Sequence, residues 1–279
     1  MSEFPPQHET DAQEHEGRYI HPPSEGYVDR DLFGNTPKGR RDWSHRRGEP
    51  RVMALFWMIY LMGTTAVMFA SMSRAHAISY DISRPAARTM LILIVIGFSV
   101  LWPMLRLSQR HPHSGHVWFA LRDALVLFVP LQAVLWPQIS GILAHWSIPV
   151  VATLTLLCAS WLLLIAGVLA LAMRSVARND SPTARALWML VFLVIIAAAP
   201  LAGVLGPVTP ATPFDQPRVG WLLSPVTGVL EIVRDREAIG VAAKIYPQQV
   251  RMLIAIACVG LALLLIARAL EVAYARVRA

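Results

Sequence analysis

The stretch "ALVLFVPLQAVLWPQISGILAHWSIPVVATLTLLCASWLLLIAGVLALAM", Ala124–Met173, is one apolar region of about fifty residues. One helix needs only ~20 apolar residues to cross the hydrocarbon of a bilayer. The stretch therefore holds two crossings, and "HWSIP", His145 to Pro149, is the natural hairpin between them. That reading sets the fold class: an all-α, polytopic integral membrane protein.

Four more apolar runs flank it, at Val52–Ser71, Thr89–Leu105, Leu187–Leu205 and Val250–Leu270. Together they predict six transmembrane helices. "NDSP" marks the start of the fifth, with Pro182 suited to a first helical turn. Arg251 and Arg268, in and at the edge of the sixth, are long enough to snorkel outward. Composition agrees. The chain of 279 residues is 55% hydrophobic and 15% charged, where a soluble domain carries about 25% charged residues. From Val52 onward only eight acids remain: Asp81, Asp123, Asp180, Asp215, Glu231, Asp235, Glu237 and Glu271.

Three regions are expected. Residues 1–36 hold eight acids, two arginines and Pro5, Pro6, Pro22 and Pro23, without periodicity; they read as a disordered acidic tail. Residues 37–51, "PKGRRDWSHRRGEPR", form a basic juxtamembrane segment with six Lys or Arg. It is a positive-inside anchor, or a patch for anionic headgroups at roughly 1 kcal/mol per residue. Residues 52–279 form the six-helix domain. The net charge of +7 lies beside apolar runs and signals topology, so no nucleic-acid partner is expected. The first apolar run starts too deep for a cleavable leader. With the N-terminus inside, inner flanks carry fifteen Lys or Arg and outer flanks eight. That asymmetry places both termini in the cytoplasm, in a cell's inner membrane.

"WLLSPVTGVLEIVRDRE", Trp221–Glu237, starts like another span and stops after about a dozen residues. A run of 10–14 apolar residues is more often re-entrant or interfacial than spanning. Ser224 suits an N-cap and Pro225 a first helical position. Leu223, Val226, Leu230 and Val233 would then share one face, and Thr227, Glu231 and Arg234 another. The expectation is a short amphipathic helix dipping into the outer leaflet. A helix lying on the headgroups and a seventh span are the alternatives.

Ionisable residues inside a membrane are costly and usually functional, and the spans hold almost none. Arg122 and Asp123 sit at the inner mouth of span three and His145 at the outer hairpin. This argues against a proton-coupled pump and against a b-type haem held by facing histidines. "HPHSGH", with His111, His113 and His116, could bind a metal, but Pro112 and Gly115 read as a solvated loop without a Cys or carboxylate. No G-x-S-x-G elbow, H-E-x-x-H or Walker motif occurs. No catalytic residue, cofactor or metal site is expected. Cys158 and Cys258 both lie in apolar runs and suit packing. Span three carries Pro130, Gln132, Pro137 and Gln138. Prolines kink helices and free carbonyls, and the amides would either line a pathway or bond between helices. Ala198, Ala202 and Gly206, with Ala199 and Gly203 beside them, and Ala166 with Ala170, are small residues at four-residue spacing. They mark close helix packing.

Six spans, cytoplasmic termini and the segment "SPVTGVLEIVRD", Ser224–Asp235, before the last span are similar to the membrane subunits of type-two ABC exporters. That resemblance implies a permease that forms a homodimer and works with a separate cytoplasmic ATPase. It also implies a cytoplasmic docking helix between spans two and three, for which Val117, Trp118, Phe119 and Leu121 in "GHVWFALRD" are the candidates. Pro130, Gln132, Pro137, Gln138, Ser224, Pro225, Glu231 and Arg234 are the candidates for a pathway or re-entrant helix. The acidic tail departs from the family's usual short amphipathic start. The alternative is a structural or assembly subunit of a larger membrane complex, built on the small-residue faces and without transport. An intramembrane enzyme lacks a nucleophile–base pair.

Overall fold

A computed structural model of the chain describes residues 50–73, 80–109, 115–179, 182–205, 216–235 and 243–278. The acidic tail, most of the basic segment, His111, His113 and Gly206 lie outside the described residues, as do the side chains of Ala198, Ala199 and Ala202. Among the described residues every regular element is helical. In order they are α1 (Pro50–Ser73), α2 (Tyr80–Ile96), α3 (Trp102–Leu107), α4 (His116–Leu135), α5 (Ile148–Asn179), α6 (Pro182–Leu205), α7 (Pro225–Ile232) and α8 (Pro247–Arg278). A single wide π-type turn, Gly97–Leu101, joins α2 to α3. Five helical stretches are long and apolar enough to cross a membrane: Arg51–Met72, Ile82–Leu107, His116–Ile139, Ile148–Ala177 and Pro247–Tyr274.

α5 is the hub. Its buried residues, including Leu154, Leu157, Trp161, Ile165, Ala166, Leu169 and Ala170, surround the whole helix. It packs against α3, α4, α6, α7 and α8. By contrast, α1 and α8 bury one narrow stripe each: Met53, Trp57, Leu61, Thr64 and Met68 on α1, and Leu253, Ile256, Leu264 and Ala267 on α8. Their other faces expose Leu55, Phe56, Ile59 and Met62, and Ile254, Val259, Leu265 and Ile266. A helix apolar all round belongs in a protein interior or in lipid.

The α5–α8 crossing brings backbone against backbone. A Cβ on Gly260 would lie 2.6 Å from the backbone nitrogen of Leu164, and one on Gly167 2.8 Å from Cβ of Leu263. Ala166 and Ala170, read from the sequence as a packing face, are indeed fully buried. Gly167 between them, and Gly260 against Leu163 and Leu164, make the approach possible.

Several sequence expectations are corrected. The second long helix begins at Tyr80, nine residues before Thr89, with Pro85 inside it. Pro85, the sixth residue of the helix, removes one backbone bond there, and the arginines that looked like a solvated flank have partners described below. Pro137 does not kink span three. It stands in one 3-10 turn, Trp136–Ile139, that ends α4, while Pro130 lies inside the helix. The hairpin turn occupies residues 140–147, with Val150 and Val151 N–H both donating to the Ser147 carbonyl at the start of α5. Pro182 opens α6, as expected. Cys158 is buried and Cys258 exposed, both free.

Candidate functional site

The segment 216–235 folds as one 3-10 turn, Val219–Leu223, followed by α7. Ser224 between them is extended, at φ −130° and ψ 141°, and Pro225 takes the first helical position. The Ser224 carbonyl accepts from Gly228 N–H at 2.8 Å. Its hydroxyl makes no capping bond and is buried without a partner, so Ser224 caps by position only. Thr227 Oγ1 donates to the Trp221 carbonyl at 2.5 Å and folds the turn back onto the helix.

The faces of α7 are not those expected. Pro225, Gly228, Val229, Glu231 and Ile232 are buried, while Leu223 is half exposed. α7 does not lie with a polar side outward. It packs on α2, α5 and α6, and a Cβ on Gly228 would stand 2.9 Å from Leu157 Cδ1. Eight residues are barely two turns, too few for periodicity to decide which side is inward.

Glu231 can be buried because the segment answers its charge. One carboxylate oxygen accepts from the Arg218 backbone N–H at 3.0 Å. The other lies 3.4 Å from the Arg234 guanidinium, which also donates to the Gln216 carbonyl at 2.9 Å. Glu231 thus ties the incoming chain at residues 216–218 to the end of α7.

Asp235 makes the next tie. It pairs with Arg84 at 3.2 Å and with Arg88, both on α2. Arg88 Nη2 also donates to the Val233 carbonyl at 2.8 Å. Arg84 Nε donates to Ala144 and Ser83 Oγ to Leu143, at 3.1 and 2.7 Å. The first turns of α2 therefore grip the end of α7 and the 140–147 turn together.

The opposite end of the bundle has its own lock. Arg106 on α3 and Asp123 on α4, 6% and 1% exposed, form a two-pronged pair through Nε and through Nη2 at 2.7 Å. Trp102 Nε1 adds a bond to Asp123 at 3.4 Å, and Gln109 holds the remaining Arg106 nitrogen at 2.9 Å. At the start of α4, Glu271 of α8 accepts from His116 Nδ1 at 3.1 Å and the Val117 N–H at 3.4 Å. It thus caps α4 from another helix, and Arg268 holds its second oxygen at 3.0 Å.

The remaining candidates fall into two groups. Gln132 Oε1 accepts from Thr155 Oγ1 of α5 and Trp136 Nε1, at 3.2 and 3.1 Å. Gln138 Nε2 donates to the Val134 carbonyl at 3.3 Å. These amides tie helix to helix and close a helix end. Val117, Trp118, Phe119 and Leu121 form the first turns of α4 itself, not a separate helix. Phe119 lies under the Arg122 guanidinium at 4.6 Å, and Trp118 alone of the four is largely exposed, at 67%.

Sequence reasoning missed Arg84, Arg88, Arg106, Asp235 and Glu271. Chemically, the arrangement is a set of ion pairs that lock helices together at both ends. No group of three metal-ligating side chains occurs among the described residues. No protein-family model, curated protein or solved structure matches the chain.

Proposed function

We propose that this chain is the permease subunit of an ATP-driven exporter, working as a homodimer with a separate ATPase in the cytoplasmic membrane. The observation that carries the reading is α7, a short helix inserted into the bundle between the last two long helices and clamped there through Glu231 and Asp235. α6 supplies the sixth span: its 24 residues reach ~36 Å at 1.5 Å per residue. One spacing supports the same placement in a bilayer. Exposed Trp118 and Trp136 stand at the two ends of the third span. They are about 27 Å apart at helical rise, close to the ~30 Å hydrocarbon thickness, where interfacial anchors belong. Leu157, which meets Gly228, lies about 13 Å along α5 from Ile148 at the same rise. A contact that far along α5 supports a re-entrant α7.

In this reading the N-terminus and Ala279 are both cytoplasmic, and reporters fused at residue 30 and after Ala279 both register the inner side. Reporters on opposite faces would leave an odd number of spans and end the six-span arrangement. Trp118 is the anchor for the ATPase. Trp118→Glu is expected to weaken its capture roughly 30-fold, the loss of a ~2 kcal/mol hot spot, with the chain still monodisperse. Undiminished capture would move the docking site elsewhere.

A second reading, an assembly subunit without transport, is favoured by one set of bonds. Thr64, Ser99, Thr153 and Ser160 turn their hydroxyls to carbonyls of their own helices. Purification that never yields an ATPase would favour it.

A further inference from the structure

The helix from Tyr80 to Leu107 is held by ion pairs at both ends and weakened between them. At one end Arg84 and Arg88 grip Asp235 beside α7. At the other, Arg106 grips Asp123, two turns into α4 from His116. Between these points the helix opens into the wide turn Gly97–Leu101, where Trp102 N–H reaches back to the Gly97 carbonyl.

The chemistry around that turn favours a bend. Tyr60 Oη of α1 donates to the Leu93 carbonyl at 2.6 Å, one turn before it. Buried Ser99 Oγ donates to the Val95 carbonyl at 2.5 Å. Hydroxyls that take helix carbonyls, and π-type turns, are recurrent places for helices to kink. Gly97 is needed there because a side chain would run into the Tyr60 ring. That ring stacks on Trp57 at 5.4 Å, and Trp57 Nε1 donates to the Leu127 carbonyl of α4 at 2.8 Å. α1 therefore braces the wide turn against α4.

We propose that α2–α3 is a hinged lever coupling the re-entrant helix α7 at one end of the bundle to the α3–α4 lock at the other, with Gly97–Leu101 as hinge and Tyr60 as its brace. A displacement of α7 drags Arg84 and Arg88 through Asp235. The lever passes it to Arg106, and Asp123 passes it to the start of α4. Only the use of this coupling in export rests on the permease reading; the mechanics stand without it.

Hydrogen exchange of the full chain in lipid nanodiscs tests it, without ATPase or substrate. Asp235→Asn, or the milder Arg84→Gln that keeps the Arg88 pair, is expected to speed exchange in α7. Both should also speed it at residues 102–107 and 116–123, by about tenfold, within the usual range of coupling between sites. Asp123→Asn should speed exchange in α7 by a similar factor, because coupling is reciprocal. Adding Tyr60→Phe should cut the distant response to under about twofold and leave the local one. The lever is overturned if the far end stays unchanged while α7 responds, or if α7 itself does not respond. A distant response that survives Tyr60→Phe removes the hinge from it. Any of these failures leaves ATPase capture by Trp118 intact, so the two ideas fall separately.

Discussion

Asp123→Asn is expected to cost on the order of 3–5 kcal/mol of stability, the penalty for leaving a buried ion without its partner. Arg106 is 6% exposed and uses both prongs of its guanidinium on Asp123. An amide offers one acceptor where two charged oxygens stood. Reversible unfolding in mixed micelles would measure the loss. Arg122→Gln, next door, removes only a cation resting on the Phe119 ring at 4.6 Å and should cost about 1 kcal/mol or less. Replacing the pair together, Arg106→Met with Asp123→Leu, should recover most of the stability, since apolar substitutes for buried pairs are often neutral. If Asp123→Asn costs no more than Arg122→Gln, the lock holds nothing.

Gly260→Ala should cost about 3 kcal/mol, the upper end of overpacking penalties. The added methyl would stand 2.6 Å from the Leu164 nitrogen, and backbone atoms of a buried helix have little room to yield. Gly63→Ala on α1 is the matched control. Its new Cβ meets nothing within 4 Å, so it should be neutral or stabilising by up to ~1 kcal/mol through helix propensity. Equal effects at the two glycines would mean that α5 and α8 do not cross here.

The helices themselves were legible because bilayer-scale apolar runs have few other uses. Ala124–Met173 divides into α4 and α5 near the expected turn, and Pro182 opens α6. The start of α2 was not legible. Pro85, Arg84 and Arg88 carry the ordinary signs of a flank, and only partners far along the chain, Ala144 and Asp235, give them another meaning. The same distance hid the site. Arg106 and Asp123 are 17 residues apart, Arg88 and Asp235 147, and His116 and Glu271 155. No local period links such residues. The small-residue signal on α5 was visible at Ala166 and Ala170, but nothing in it names Gly167 and Gly260 as the point where the backbones meet. For α7, Pro225 and the length of the segment were readable. Its inward face was not, since Glu231 looked polar until Arg218 and Arg234 answered it.

The Gly167–Gly260 crossing also bears on how the protein is made. α5 leaves the ribosome well before α8, with α6 and α7 between them. Until α8 arrives, the surface of α5 around Gly167 faces lipid, a partner chain or a chaperone. The backbone-to-backbone fit of α5 and α8 therefore forms only after α6 and α7 have been made. A chain stalled before Pro247 would offer insertion and quality-control machinery an open groove, and such unfinished surfaces are where misassembly of helical proteins begins.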